Sequence, residues 1–154
     1  MISDFLSPLY TSRMVFHMLY RDERYFLIVQ RVENDSYLPG LWEFPGGKVD
    51  VMPPNFYAEA RREASEEVLG LPLIENFFLD SMLKDLGEKE KYHNRKVRYM
   101  IFFGHLVPPT LEILGKMKPG DEHQAVELLP IDDVLKKNLT PITRRIISEL
   151  IKTL

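Results

Sequence analysis

Residues 47–71 read GKVDVMPPNFYAEARREASEEVLGL, and their pattern decides what kind of domain this is. Pro53-Pro54-Asn55 interrupts regular structure. The periodicity that follows predicts a helix from about residue 56 to Leu69, closed by Gly70 just past its end. At 3.6 residues per turn, Glu59, Glu63, Glu66 and Glu67 fall within an arc of about 100°. Tyr57, Ala60, Ala64 and Val68 form the adjoining apolar stripe, the side that packs on a sheet. Four carboxylates beside a buried edge repel one another. Arg61 and Arg62 offset part of that repulsion. A hard divalent cation, Mg2+ or Mn2+, offsets more, because carboxylate oxygens are its preferred ligands. On the helix alone two readings stay open: a solvated acidic face tied by the arginines, or a metal site.

The segment just upstream weighs toward the metal. Phe44-Pro45-Gly46-Gly47 is a tight bend whose glycines let backbone atoms come close to a ligand. Gly47 is placed to offer its carbonyl to the same ion. Further back, Met14–Tyr20 and Tyr25–Gln30 are β-rich runs around a charged turn, Arg21-Asp22-Glu23-Arg24, and predict a hairpin. Asn34 to Gly40 is a loop by its turn chemistry, and Leu41–Phe44 is a short apolar piece.

Downstream, Phe77–Leu83 and Val97–Val107 predict strands, with the charge-mixed segment Lys84–Lys96 as a hairpin tip or loop between them. A short strand around Ala125–Leu129 precedes a helix-start signal at Pro130-Ile131-Asp132-Asp133. Pro141 opens a last helix with Ile142, Ile146, Ile147, Leu150 and Ile151 on one face. Strands, one central helix, more strands and a terminal helix predict an α/β (α+β) fold, a mixed sheet with helices packed on it.

The bulk properties set the frame. With 154 residues and 45% hydrophobic content, the chain reads as a single domain, 1–154, able to bury a core without staples. It has no cysteine, which removes disulfides, thiolate zinc sites and cysteine nucleophiles. A net charge of −3 does not suggest a protein that coats nucleic acid, so nucleic acid is not an expected partner. The first twelve residues lack a basic region before an apolar core, and no apolar run approaches the roughly 20 residues of a membrane helix. The expectation is a cytoplasmic protein with no membrane partner.

Residues 47–71 resemble the Nudix box, G-x5-E-x7-R-E-U-x-E-E-x-G-U with U a bulky aliphatic. Arg62-Glu63, Glu66-Glu67 and Gly70-Leu71 carry the match. Leu38-Pro39-Gly40-Leu41-Trp42-Glu43-Phe44-Pro45-Gly46-Gly47-Lys48-Val49 resembles the entry to the box in the MutT-type branch. The box is irregular. One residue is inserted between Gly47 and Arg62, Met52-Pro53-Pro54 replaces the first glutamate, Ala64 stands at a bulky position, and Val68-Leu69 fill a one-residue gap. The last change is expected to lengthen the final helical turn.

The resemblance implies a Nudix α/β/α sandwich. It implies that Glu63, Glu66, Glu67 and the Gly47 carbonyl bind Mg2+ or Mn2+, with Arg62 orienting the glutamates. It also implies attack of water on a phosphorus of a nucleotide, with Glu63 or a downstream glutamate as general base. Asp121 to Pro130 resembles the family's E-H-x-E-x-x-W-V-P segment, making Glu122 that downstream metal and catalytic candidate and His123 an ordinary loop histidine. Arg31, Phe44 and Lys48 are the substrate-binding candidates: Arg31 for phosphate or base, Phe44 for the base pocket, Lys48 for a phosphate. In the enzymes that clear 8-oxo-dGTP an Asn before a turn reads the purine. Here Leu139 takes that position and Asn138 lies one residue away, which argues against 8-oxo-purine. The basic residues Lys89, Lys91, Arg95, Lys96 and Arg98 are interleaved with acids and read as a solvated hairpin.

The leading functional expectation is Mg2+-dependent hydrolysis of a nucleoside triphosphate to a monophosphate and pyrophosphate. The alternatives are hydrolysis of ADP-ribose, a nucleotide sugar, a dinucleoside polyphosphate or a capped RNA end, and a non-catalytic domain that binds a nucleotide or a protein. A homodimer is compatible with the resemblance.

Overall fold

The computed structural model describes residues 9–49, 56–71, 77–85, 97–106, 109–149 and 151. Its spine is strand β1 (Leu9–Tyr20), which pairs on one side with β2 (Glu23–Arg31), antiparallel, and on the other with β7 (Val97–His105), parallel. Strand β6 (Phe77–Asp85) adds antiparallel to β7. Two short strands, β3 (Trp42–Glu43) and β4 (Lys48–Val49), flank the Gly46-Gly47 bend and pair with β2 and β1. Strand β9 (His123–Pro130) also pairs with β2. The sheet is mixed, as the sequence predicts.

Alternation along the strands splits the core into two layers. Met14, Phe16 and Met18 of β1, with Leu27 and Val29 of β2, lie under Ala60 and Ala64 of helix α1 (Phe56–Glu67) and Ile113 of a 3-10 helix, Leu111–Lys116. Val15, Phe26, Ile28 and Phe103 face the other way. They meet Val134 of α2 (Ile131–Val134) and Ile142, Ile146 and Ile147 of α3 (Pro141–Glu149), together with Ile151. Each such side chain contributes roughly 1.5–3 kcal/mol on full burial. This is the expected α/β/α sandwich. None of the described helices is long and apolar enough to cross a membrane.

Several local expectations need correction. The β1–β2 turn is two residues, not four: Arg21 and Asp22 take φ of 50° and 64°, the left-handed pair whose twist matches a tight hairpin, and Glu23 and Arg24 already pair with Tyr20 and Leu19. Helix α1 ends at Glu67. Val68-Leu69 leave it as β5 and pair with β8 (Lys118–Pro119). The extra residue before Gly70 therefore feeds a two-stranded clip instead of a longer last turn. Lys84 and Asp85 belong to β6 and Arg98 to β7, while residues 86–96, with the rest of the basic cluster, lie outside the described residues. Leu150 also lies outside them. Phe44, expected at the base pocket, is wholly buried, its ring 6.5 Å from that of Phe26, and packs in the core.

Candidate active site

The exposed side of α1 and the turn before β9 face each other across a cleft of about 430 Å³, lined by Glu63, Glu66, Glu67, Leu69, Asp121 and Glu122. The structure thus brings together the three helix glutamates and Glu122, 55 or more positions later in the chain, and adds Asp121. Arg62 spans the outer part of the face. Its guanidinium donates to Glu63 at 3.0 Å and Glu66 at 2.6 Å, and pairs also with Glu59, one turn back. These three acids raise the Arg62 pKa further above its ordinary value. The pairs are exposed and screened by solvent, so they add little to stability.

Burial rises inward along the helix, and with it the electrostatic cost. Desolvation pushes the Glu63 carboxyl up, against the pull of Arg62 and with a further push from Glu66 and Glu59. Glu67 is only 7% exposed. Among the described residues its carboxylate has one hydrogen bond, from the Gly46 N–H at 2.7 Å. Burial first, and then the negative charge of Glu43, push Glu67 up to about 8, against the smaller opposing effects of Arg13 and that amide.

The glycine bend explains how helix and sheet come so close. A Cβ on Gly47 would lie 2.6 Å from Glu63 Oε2, and one on Gly46 would lie 1.9 Å from the Ser12 carbonyl oxygen. The Gly47 carbonyl, expected to hold the metal, is engaged elsewhere: it accepts from Ser12 N at 2.9 Å and from Thr11 Oγ1 at 2.8 Å, which fills both lone pairs. The Gly47 N–H donates back to Ser12 O at 3.1 Å. In a trans peptide that turns the preceding carbonyl, of Gly46, away from β1. The outward oxygen of the bend is that of Gly46.

Sequence reasoning missed Glu43. It is 2% exposed and sits in a knot of charge: Arg31 Nη1 at 3.1 Å, His123 Nε2 at 2.9 Å and Arg13 at 3.9 Å. Burial opposes its ionisation. The hydrogen bond from His123 and the charges of Arg13 and Arg31 outweigh that, and the carboxyl stays below its ordinary value. The signal was present: an acid between the core aromatics Trp42 and Phe44 has to be paired if the strand is to be buried. His123, read as an ordinary loop residue, opens β9 and is buried against this acid. Arg31, expected at the substrate, spends three donors on the protein, reaching Glu43, Asp35 at 2.9 Å and the Tyr37 carbonyl at 3.2 Å, and so fastens the 32–41 loop. The Lys48 backbone pairs with Thr11; its side chain lies outside the described residues. Leu139 is buried beside Trp42, and Asn138 uses its carbonyl to accept from Trp42 N at 2.8 Å.

Among the described residues no three acidic or histidine side chains are already gathered as tightly as a bound ion would hold them. Arg62 occupies Glu63 and Glu66 instead. The donor set nonetheless fits a hard cation: carboxylate oxygens only, one of them buried with no described ion pair, around a cleft wide enough for an ion and phosphates.

A mixed sheet between two helical layers, with an acidic helix packed against a glycine bend, defines a class of hydrolase scaffold. The chain belongs to the Nudix family: the NUDIX domain model matches residues 11–150. Hydrolases of this family act on pyrophosphate bonds. Among curated proteins none matches the chain. Among solved structures, the Nudix domain of Shewanella oneidensis NrtR, complexed with ADP ribose, superposes with a TM-score of 0.72 at 16% identity, over 98% of this chain and 91% of that one. The MutT protein of Methanosarcina mazei gives 0.63 at 22% identity, over 96% and 95%. A C. elegans Ap4A hydrolase binary complex gives 0.63 at 17%, over 95% and 99%. At these identities the likeness is one of fold.

Proposed function

We propose that this chain is a divalent-metal-dependent hydrolase that cuts a phosphoanhydride bond in a nucleoside triphosphate or another nucleoside diphosphate derivative. The observation that carries the reading is the cleft between α1 and the β8–β9 turn. Five carboxylates meet there, and the innermost, Glu67, is buried with no described ion pair to balance its charge. Glu63, Glu66, Glu67 and Glu122 would hold Mg2+ or Mn2+, with a backbone oxygen of the glycine bend, that of Gly46, as the further ligand. A bound ion supplies charge stabilisation at the phosphoryl oxygens and lowers the pKa of the attacking water. Arg62 orients Glu63 and Glu66 from the solvent side. Glu63 and Glu122 both border the cleft, and either carboxylate can take the water's proton.

The test is a panel of ribo- and deoxynucleoside triphosphates, ADP-ribose and dinucleoside polyphosphates, each with Mg2+ and with Mn2+. Release of a monophosphate and pyrophosphate from triphosphates is the expected result. Turnover of ADP-ribose alone would move the substrate to a nucleoside diphosphate linked to a second group, the ligand class bound by the Shewanella domain. Metal binding without turnover of any member would leave a nucleotide-binding domain.

A further inference from the structure

Glu122 reaches the cleft from a turn, not from a rigid element, and something has to hold that turn in place. Backbone contacts tie it on several sides. Gly120 N donates to the Glu67 carbonyl at 2.8 Å, at the exit of α1. His123 N donates to the Gly120 carbonyl at 3.1 Å, and the Glu122 carbonyl accepts from Val32 N at 3.3 Å. Two further ties run through side chains: Gln124 Nε2 donates to Glu33 Oε1 at 3.0 Å, and His123 meets Glu43. His123 is 5% exposed, and its Nε2 lies 2.9 Å from Glu43 Oε2. A carboxylate between two guanidinium groups is an acceptor only, so Nε2 carries the hydrogen and donates it.

The register of the sheet is what makes this contact possible. Gln30 pairs with Ala125 and Arg31 with His123, so Gln124 has no partner on β2. Such a bulge reverses the alternation of side chains beyond it. His123 is thereby turned to the side of Arg31 and Glu43. In a regular ladder it would point to the opposite face, and Glu122 would follow a different path out of the sheet.

We propose that Glu43 and His123 are positioning residues that hold Glu122 in the cleft, acting through the Glu43–His123 hydrogen bond and the Gln124 bulge; the role assigned to Glu122 rests on the hydrolase reading above. Neither residue is placed to touch a phosphate. Their effect is to fix where the turn leaves the sheet, as second-layer groups do for metal ligands elsewhere, where their loss typically costs about 10- to 100-fold in metal affinity or activity.

His123→Leu removes the donor at similar size, and His123→Gln returns an N–H near the Nε2 position. Three measurements decide the matter: hydrogen–deuterium exchange of residues 118–124 in metal-free protein, Mn2+ affinity by calorimetry, and kcat and KM with dGTP and with ADP-ribose under Mg2+. His123→Leu is expected to speed exchange in that segment about tenfold, weaken Mn2+ about tenfold and lower kcat about 10- to 100-fold, with KM within about twofold. His123→Gln is expected to restore most of each, and His123→Leu is expected to cost nothing further in a Glu122→Gln background. Should His123→Leu fail to fold, His123→Asn, too short to reach Glu43, takes its place. Unchanged exchange and Mn2+ affinity would overturn the proposal, as would an equal loss of affinity or kcat in the Glu122→Gln background. Faster exchange and weaker Mn2+ in a protein that cuts no member of the full nucleotide panel above would support the positioning role and overturn the hydrolase reading.

Discussion

Glu43, just before the glycine bend in the chain, and Glu67, hydrogen-bonded to the Gly46 amide of that bend, are two buried acids whose surroundings drive them in opposite directions. Glu43 lies between two guanidinium groups and an imidazole and stays ionised. Glu67 has a single backbone amide among the described residues and is pushed up to about 8. The difference separates two uses of a buried carboxylate. One whose charge is balanced from within the protein stiffens the fold. One left unbalanced at the wall of a cleft awaits a cation or a proton, which is where functional acids are found.

The largest expected effect falls on Glu67→Gln. Turnover should drop by two or more orders of magnitude, measured as metal-dependent hydrolysis. Without metal the same substitution should stabilise the protein at alkaline pH. The folded-state pKa of Glu67 lies above its unfolded value, so its contribution is complete below about pH 4.5 and is lost as pH rises toward 8. The loss is on the order of 4 kcal/mol in wild type and absent in the variant. Urea unfolding with chelator at pH 5 and pH 8 checks this, and parallel pH curves would break the contrast.

Glu43→Gln should act the other way, destabilising by about 3–5 kcal/mol at any pH from 6 to 9, because Arg13 and Arg31 lose their buried counter-charge. A loss below about 1 kcal/mol would make Glu43 dispensable to the fold. His17 supplies a third buried titratable group, at the far end of β1. Burial, then His105, then Arg24, whose Nη1 lies 2.6 Å from His17 Nδ1, lower its pKa to about 4. The unfolded chain takes up this proton near pH 6.5, so the contribution of neutral His17 is present above that pH and is lost as pH falls to 4. The change is about 3 kcal/mol. His17→Gln should flatten melting temperature across that window. Arg62→Gln should change stability least, since its ion pairs are exposed and screened by solvent. Its turnover should still fall roughly tenfold through the loosened Glu63 and Glu66.

Much of this was legible in the chain. The helical spacing of Glu63, Glu66 and Glu67 beside Ala60 and Ala64 gave both the packing side and the acidic wall, because the α period fixes which residues share a face. The hairpin and the last helix followed from alternation and from the Pro141 start. What stayed hidden depended on contacts distant in sequence. Nothing near Arg31 says that its guanidinium meets Glu43 and Asp35, nor does the Gly46-Gly47 pair say which carbonyl is tied to Ser12. The clip between Val68-Leu69 and Lys118-Pro119 was missed for a related reason: two-residue strands have no period to read, and their pairing is set by where α1 and the 3-10 helix happen to end.

The parallel pairing of β1 with β7 joins residues 88 positions apart, Leu9 with Val97 through His17 with His105. Such contacts form late, because a long loop must close before any of them repays its entropy. On a ribosome, the β1–β2 hairpin can zip as soon as it emerges, yet β1 keeps one edge open until residue 105 has been made. During that interval an unpaired apolar strand is exposed to other chains. Aggregation of the nascent protein should therefore respond more to changes along β1 and β7 than to any residue of the cleft.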